Sequence, residues 1–201
     1  MRILILLLFL IASSAVVKAD YSRMTFLEVL DGADLVAESE IVAVNDSFFW
    51  IKLNYLIKGS SEKKVIKVRK FRNWPCAQRF KNYEIGQKEL VALVWETKLK
   101  CWRPIGAGSE GELPLVNGKI TFRKLLYGKN NYKSQTYKRI DVYDGIKYYL
   151  KNIENLQSKI KNGTILEIYP DNLFTNALIK TIIWKNQRTL DSLKSQKRLS
   201  E

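Results

Sequence analysis

Between Ala33 and Trp95 the chain offers four short segments patterned for strands, each closed by turn residues, and little room for anything else. Ile51, Leu53, Tyr55 and Ile57 alternate with Lys52, Asn54 and Lys58, the period-two signature of a half-buried antiparallel strand. Leu35 to Val44 is rich in β-branched residues, and Asn45-Asp46-Ser47 supplies the turn before Phe48, so these two segments read as a hairpin. Gly59-Ser60-Ser61 ends the second segment, and Val65 to Phe71 follows with Ile66 and Val68 on one face and Lys67 and Arg69 on the other. Leu90 to Trp95 is apolar on both faces, which places it centrally, with Gly86 in the turn before it. Ile120 and Phe122, beyond the Asn117-Gly118 turn, give a fifth strand. Five short strands joined by turns predict a small closed or partly closed barrel, an architecture of which the OB fold is one example. The fold class expected is α+β, mainly β: a five-stranded OB-like antiparallel barrel with a short N-terminal helix and two C-terminal helices.

Tyr55-Leu56-Ile57-Lys58-Gly59, Ile85-Gly86-Gln87-Lys88-Glu89-Leu90 and the stretch from Gly108 to Gly118 carry a resemblance. Together they resemble the netrin-like domains of bacterial exported proteins, over about residues 25 to 122. That resemblance implies the OB-type barrel of the tissue inhibitors of metalloproteinases. It does not carry their inhibitory chemistry. Those inhibitors chelate the protease metal through a cysteine at the mature N-terminus, and here no cysteine precedes Cys76.

Composition narrows the chemistry. The 201 residues contain no histidine, which removes Ser-His-Asp and Cys-His catalysis and the commonest zinc ligand. Glu38, Glu40, Glu84, Glu89 and Glu110 fall in no catalytic motif and are expected on solvated strand faces. Gly106 to Gly111 looks like a phosphate loop only in its glycines, because the Gly-Lys-Ser/Thr ending is missing. No cofactor and no metal site is expected. The net charge is +14, unevenly spread: residues 20–118 carry 15 basic and 13 acidic side chains, residues 119–201 carry 17 and 7. The barrel is thus near neutral by count and the C-terminal third is basic.

Met1-Arg2, the apolar run from Ile3 to Ala12 and the small-residue end at Val17-Lys18-Ala19 read as a signal peptide cleaved between Ala19 and Asp20. The apolar stretch is shorter than the ~20 residues a membrane span requires. The expected organisation is therefore a signal peptide over 1–19, a barrel domain over 20–126 and a basic helical extension over 127–201. The expected location is secreted or periplasmic, with no integral membrane span in the mature chain. Export makes a disulfide between Cys76 and Cys101 the expected state; it would close a loop of about 26 residues and contribute roughly 3–4 kcal/mol.

Outside the strands, Ser22 is positioned to cap a helix carrying Met24, Leu27, Val29 and Leu30, stopped by Gly32. Phe71 to Phe80 and Lys98 to Gly111 read as long irregular connections. They gather Trp74, Arg79, Trp102 and Arg103 near the cysteines, where they form either a binding surface or simple packing over the bridge. Tyr127 to Arg139 is polar and aperiodic, an exposed loop. Asp141 is placed to cap an amphipathic helix with Val142, Ile146, Tyr149, Ile153, Leu156 and Ile160 on its stripe. Asp171 is placed to cap a second helix, with Phe174, Ala177, Leu178 and Ile182, then Leu190 and Leu193.

The function expected is that of an exported, non-enzymatic binding or interaction domain, whose partner is a polyanion, such as an acidic polymer, or an envelope protein or other cell-envelope component. The alternatives are a histidine-independent hydrolase of a cell-wall or matrix polymer, built on paired carboxylates, and a protease inhibitor.

Overall fold

A computed structural model describes residues 24–74, 77–122, 134–161 and 172–183. In chain order the elements are α1 (Phe26–Gly32), β1 (Leu35–Val44), β2 (Phe48–Lys58), β3 (Val65–Arg69), β4 (Lys88–Glu96), β5 (Cys101–Pro104), β6 (Glu112–Val116), β7 (Lys119–Phe122), β8 (Gln135–Lys138) and α2 (Arg139–Lys161). A third helix, α3, covers residues 173–183. The side chains of α2 are described as far as Ile153.

β1, β2, β3, β5 and β4 are neighbours in that order, and β4 pairs back on β1, closing a five-stranded barrel. The α+β, mainly β, OB-like architecture is therefore present. It differs from the expected barrel in two respects. The closing pair β3–β5 is parallel, through Val68 and Trp102, so the barrel is mixed rather than wholly antiparallel. The fifth barrel strand is Cys101–Pro104, inside what reads as irregular loop, while Ile120 and Phe122 lie on β7 outside the barrel. β5 is only four residues long and its Arg103-Pro104 end breaks any alternation, so its strand character comes from pairing with β4 rather than from local pattern. β6, β7 and β8 extend the sheet beyond β4. β8 replaces part of the polar loop expected over Tyr127–Arg139.

Two cores result. Leu35, Ala37 and Ile41 of β1, Phe49 and Ile51 of β2, Ile66 and Val68 of β3, and Val91 and Leu93 of β4 fill the barrel. The opposite side chains of β1 and β4, among them Val36, Leu90 and Ala92, face a second core built with α1, α2, α3, β6 and β7. Phe26, Phe122 and Phe174 meet there with ring centroids 4.9, 5.1 and 5.9 Å apart, joining α1, β7 and α3. The edge-on and tilted packing adds about 0.5–1.5 kcal/mol per pair beyond burial alone. Both C-terminal helices thus dock on the barrel. They also dock on each other, since Asn172 Nδ2 donates to the Asp141 carbonyl at 3.1 Å. A Cβ on Gly145 would lie 2.6 Å from the Phe174 ring, so a glycine at this point of α2 permits the approach.

The helix caps correct three local expectations. α1 is capped by Thr25, whose side chain accepts from the Glu28 N–H while Glu28 reaches back to Thr25, a full capping box. Ser22 lies outside the described residues. α2 begins at Arg139, which puts Asp141 in its first turn rather than at the cap. In α3 the Thr175 N–H donates to Asn172 Oδ1 at 2.9 Å, so Asn172 is the cap; Asp171, Leu190 and Leu193 lie outside the described residues. So do Ala19, Asp20 and Cys76, and the side chains of Leu156 and Ile160. Among the described residues no helix is long and apolar enough to cross a membrane.

Candidate functional site: an aromatic and basic face on the barrel

One side of the barrel is covered and one is bare. The helices and β6–β8 pack on β1, β4 and the C-terminal half of β2, which leaves the outward side of β3 and of the N-terminal half of β2 in contact with solvent. Register decides what that side presents. Phe48 pairs with Arg69, Trp50 with Lys67 and Lys52 with Val65, so aromatic and cationic side chains alternate across the two strands. Phe49, Ile51, Ile66 and Val68 take the inward positions. A one-residue slip would exchange the two sets, and burying three cations is the cost that forbids it. Lys67 Nζ lies 3.8 Å from the centre of the Phe48 ring, a cation–π contact across the strand pair.

The face runs into a groove of about 370 Å³ at one barrel end. Asp46 and Ser47 come from the β1–β2 turn and Leu99 from the β4–β5 turn. Phe48, Arg69, Lys70 and Arg72 come from the strand ends and the chain following β3. The Asn45 side chain fixes the first turn, accepting from the Ser47 and Phe48 N–H groups at 3.1 and 2.8 Å. The Lys70 N–H donates to the Ser47 carbonyl at 2.9 Å and ties the second wall to it. Arg69 Nη1 donates to both carboxylate oxygens of Glu96, at 2.9 and 3.0 Å, and both partners are solvent-accessible. Lys98 and Lys100 stand exposed on the β4–β5 turn. OB barrels take oligomeric ligands over strands 2 and 3 and between these same two loops.

The four residues expected to make a binding surface separate in the structure. Trp74 is exposed and Arg103 is exposed. Trp102 is half-buried, packed edge-on against Trp95 at 5.4 Å over one end of the barrel core. Arg79 is buried and belongs to no surface. Its Nη2 donates to Glu89, its Nε to Glu112 Oε1 at 3.2 Å and its Nη1 to the Lys81 carbonyl at 2.6 Å. Tyr83 completes the cluster: its ring lies under the guanidinium at 3.9 Å, its hydroxyl donates to Glu112 at 3.1 Å and accepts from the Phe71 N–H at 2.8 Å. The cluster fastens the long β3–β4 connection to β4 and β6.

Glu89, Glu110 and Glu38 therefore depart from the solvated faces expected of them, at 1%, 5% and 7% exposure, and Glu112 is fully buried. Burial, reinforced by the nearby Glu112 charge and only partly offset by Arg79, pushes the Glu89 carboxyl up to about 8. Burial also raises Glu112. These are paired carboxylates, but each is enclosed and held by the arginine between them. Glu110 turns its carboxylate into its own glycine-rich loop, where it accepts from the Ala107 N–H at 2.9 Å. That loop's amide is thereby committed to the chain itself.

Burial of acids changes the meaning of the charge count. The barrel is near neutral over residues 20–118, yet Glu38, Glu89, Glu110 and Glu112 are withdrawn from solvent, against one buried base among the described residues, Arg79. The accessible barrel surface is accordingly more basic than the composition indicates. Much of the basic C-terminal third, by contrast, lies outside the described residues. The signal for the face was present in the sequence as Phe48, Trp50 and Lys52 against Lys67 and Arg69, but it required the register to be read. Comparison of the chain with protein-family models, curated proteins and solved structures finds no match.

Proposed function

We propose that this chain is an exported, non-enzymatic binding domain of the netrin-like OB type, and that it takes an acidic polymer along the β2–β3 face. The observation that carries the reading is the alternation of Phe48, Trp50 and Lys52 with Arg69 and Lys67 on an uncovered barrel face that ends in a groove between two turns. The lysines and arginines attract phosphate, sulfate or carboxylate groups, and the aromatic rings supply flat apolar contact to whatever links them. Enzymatic chemistry forms no part of the proposal.

Labelled heparin tests it. Binding is expected to weaken steeply with salt, and each phosphate-like contact removed is expected to lower the log–log salt slope by about one. The double variant K67E/R69E should lose most of the affinity. K151E/K180E, which alters two exposed lysines on α2 and α3, should keep it. Affinity insensitive to salt, or lost equally in both variants, would place the binding elsewhere.

Export and a Cys76–Cys101 disulfide belong to the same reading. Cys101 is buried at the start of β5 and is a free thiol among the described residues, which do not include Cys76, so the bridge rests on the sequence and on export. Intact mass of the exported protein with and without reductant, and an N-terminus at Asp20, are the observations expected.

A further inference from the structure

A cavity of about 330 Å³ lies between α2 and the β1–β2 hairpin. It sits roughly 23 Å along β2 from the groove, the seven residue steps from Phe48 to Tyr55 at about 3.3 Å each. Its size is at the small end for ligand pockets and fits a small molecule.

Its lining carries both charges at close quarters. Glu38 of β1 reaches it from the barrel, with a side chain only 10% exposed. Tyr143 donates its hydroxyl to Glu38 Oε2 at 2.5 Å, while Arg139 Nη1 stands 3.4 Å from both carboxylate oxygens. An ionised carboxylate has about four acceptor positions, so one short bond and two long ones leave Glu38 able to accept more. Tyr55 of β2 stacks on Tyr143 with ring centroids 5.4 Å apart and planes 13° from parallel. Lys147 donates to the Tyr55 hydroxyl, and Asp144 stands one turn before it on the same helix.

Two carboxylates, two cations and two phenols therefore converge on one small space. A purely anionic or purely cationic ligand would meet one attractive pair and one repulsive pair. A ligand carrying both charges a few ångströms apart matches both. We propose that this pocket binds a small zwitterion of amino-acid or dipeptide size. Its ammonium group is held by Glu38 and Asp144, with the tyrosine rings alongside, and its carboxylate by Lys147 and Arg139. The side chain of the ligand rests on Ile140, which lines the pocket and is otherwise exposed to water.

Calorimetric titration of the mature chain with glycyl-phenylalanine tests this, beside phenylalanine amide (cation only) and N-acetyl-phenylalanine (anion only). The dipeptide should bind at least about tenfold more tightly than either single-charge analogue, a difference of ~1.4 kcal/mol. Asp144→Asn and Lys147→Met should each weaken it at least about fivefold. Both side chains are exposed, so the unfolding midpoint should stay in place and folding failure is not an escape. Equal binding of the analogues, no binding up to about 10 mM dipeptide, or indifference to both substitutions overturns the assignment. Because the groove variant K67E/R69E leaves this pocket intact, its dipeptide titration should match the parent protein whatever happens to heparin binding.

Discussion

Replacing Arg79 with methionine keeps most of the side chain's length and removes its charge and donors. What remains is Glu89 and Glu112, buried and without their shared cation. The size of the loss follows from the least costly escape, which is protonation. Burial and the nearby Glu112 charge raise Glu89 to about 8, so the proton it takes at neutral pH once Arg79 is gone adds little to the loss. Glu112 must then acquire one. At pH 7, holding a proton on a carboxyl whose ordinary value is 4.5 costs about 3 kcal/mol, at ~1.4 kcal/mol per pH unit. That figure agrees with the ~3–5 kcal/mol typical of stripping one partner from a buried ion pair. At pH 5 the same proton costs less than about 1 kcal/mol. Urea unfolding followed by tryptophan fluorescence should show R79M losing about 4 kcal/mol at pH 7, about 3 for the proton and about 1 for lost hydrogen bonds and packing, near 2 M in midpoint for a slope of roughly 2 kcal/mol/M. At pH 5 the loss should shrink to about 1–2 kcal/mol, what remains being lost hydrogen bonds and packing. R79M/E112Q should recover most of the pH 7 loss. A loss below about 1 kcal/mol at pH 7, or an equal loss at both pH values, would refute the reasoning.

Other perturbations test separate parts of the structure. Glu89 has a folded-state value raised above its unfolded one, so its contribution is fully present below about 4.5 and is lost as pH rises through about 8; E89Q should flatten the decline in stability between pH 5 and pH 8. Thr25→Ala removes the capping box of α1 and should cost ~1 kcal/mol, read as a lowered unfolding midpoint. Gly59 has a φ of +81°, and a Cβ at that position would collide with the Asp34 carbonyl oxygen, so Gly59→Ala should destabilise by more than ~1 kcal/mol in the same assay.

Alternation and turn residues determined much of this protein from the sequence alone. Leu35–Val44 is a strand with those very limits, and Ile51, Ile66 and Val68 face inward as period two requires, because a strand's side chains have only two directions to take. Tyr55 and Ile57 of the same expected stripe lie outside the barrel core, and Val91 and Leu93, in a strand apolar on both faces, are not distinguishable from their neighbours by pattern. The amphipathic stripes of α2 and α3 were equally legible, since Val142, Ile146, Tyr149, Phe174 and Leu178 recur at helical spacing and are buried. Tertiary structure alone decided which short segment closes the barrel. Cys101–Pro104 has no strand pattern of its own and becomes one between β3 and β4, where its backbone groups find partners. It also decided the fate of the charges. Composition counts Glu89 and Glu112 as surface acids and Arg79 as a surface base; the fold places all three inside, where pairing offsets the loss of water, and leaves the cations of β2 and β3 outside. A strand's alternation says that a charged residue faces away from its neighbours, but only the packing of other elements says whether water lies on that side.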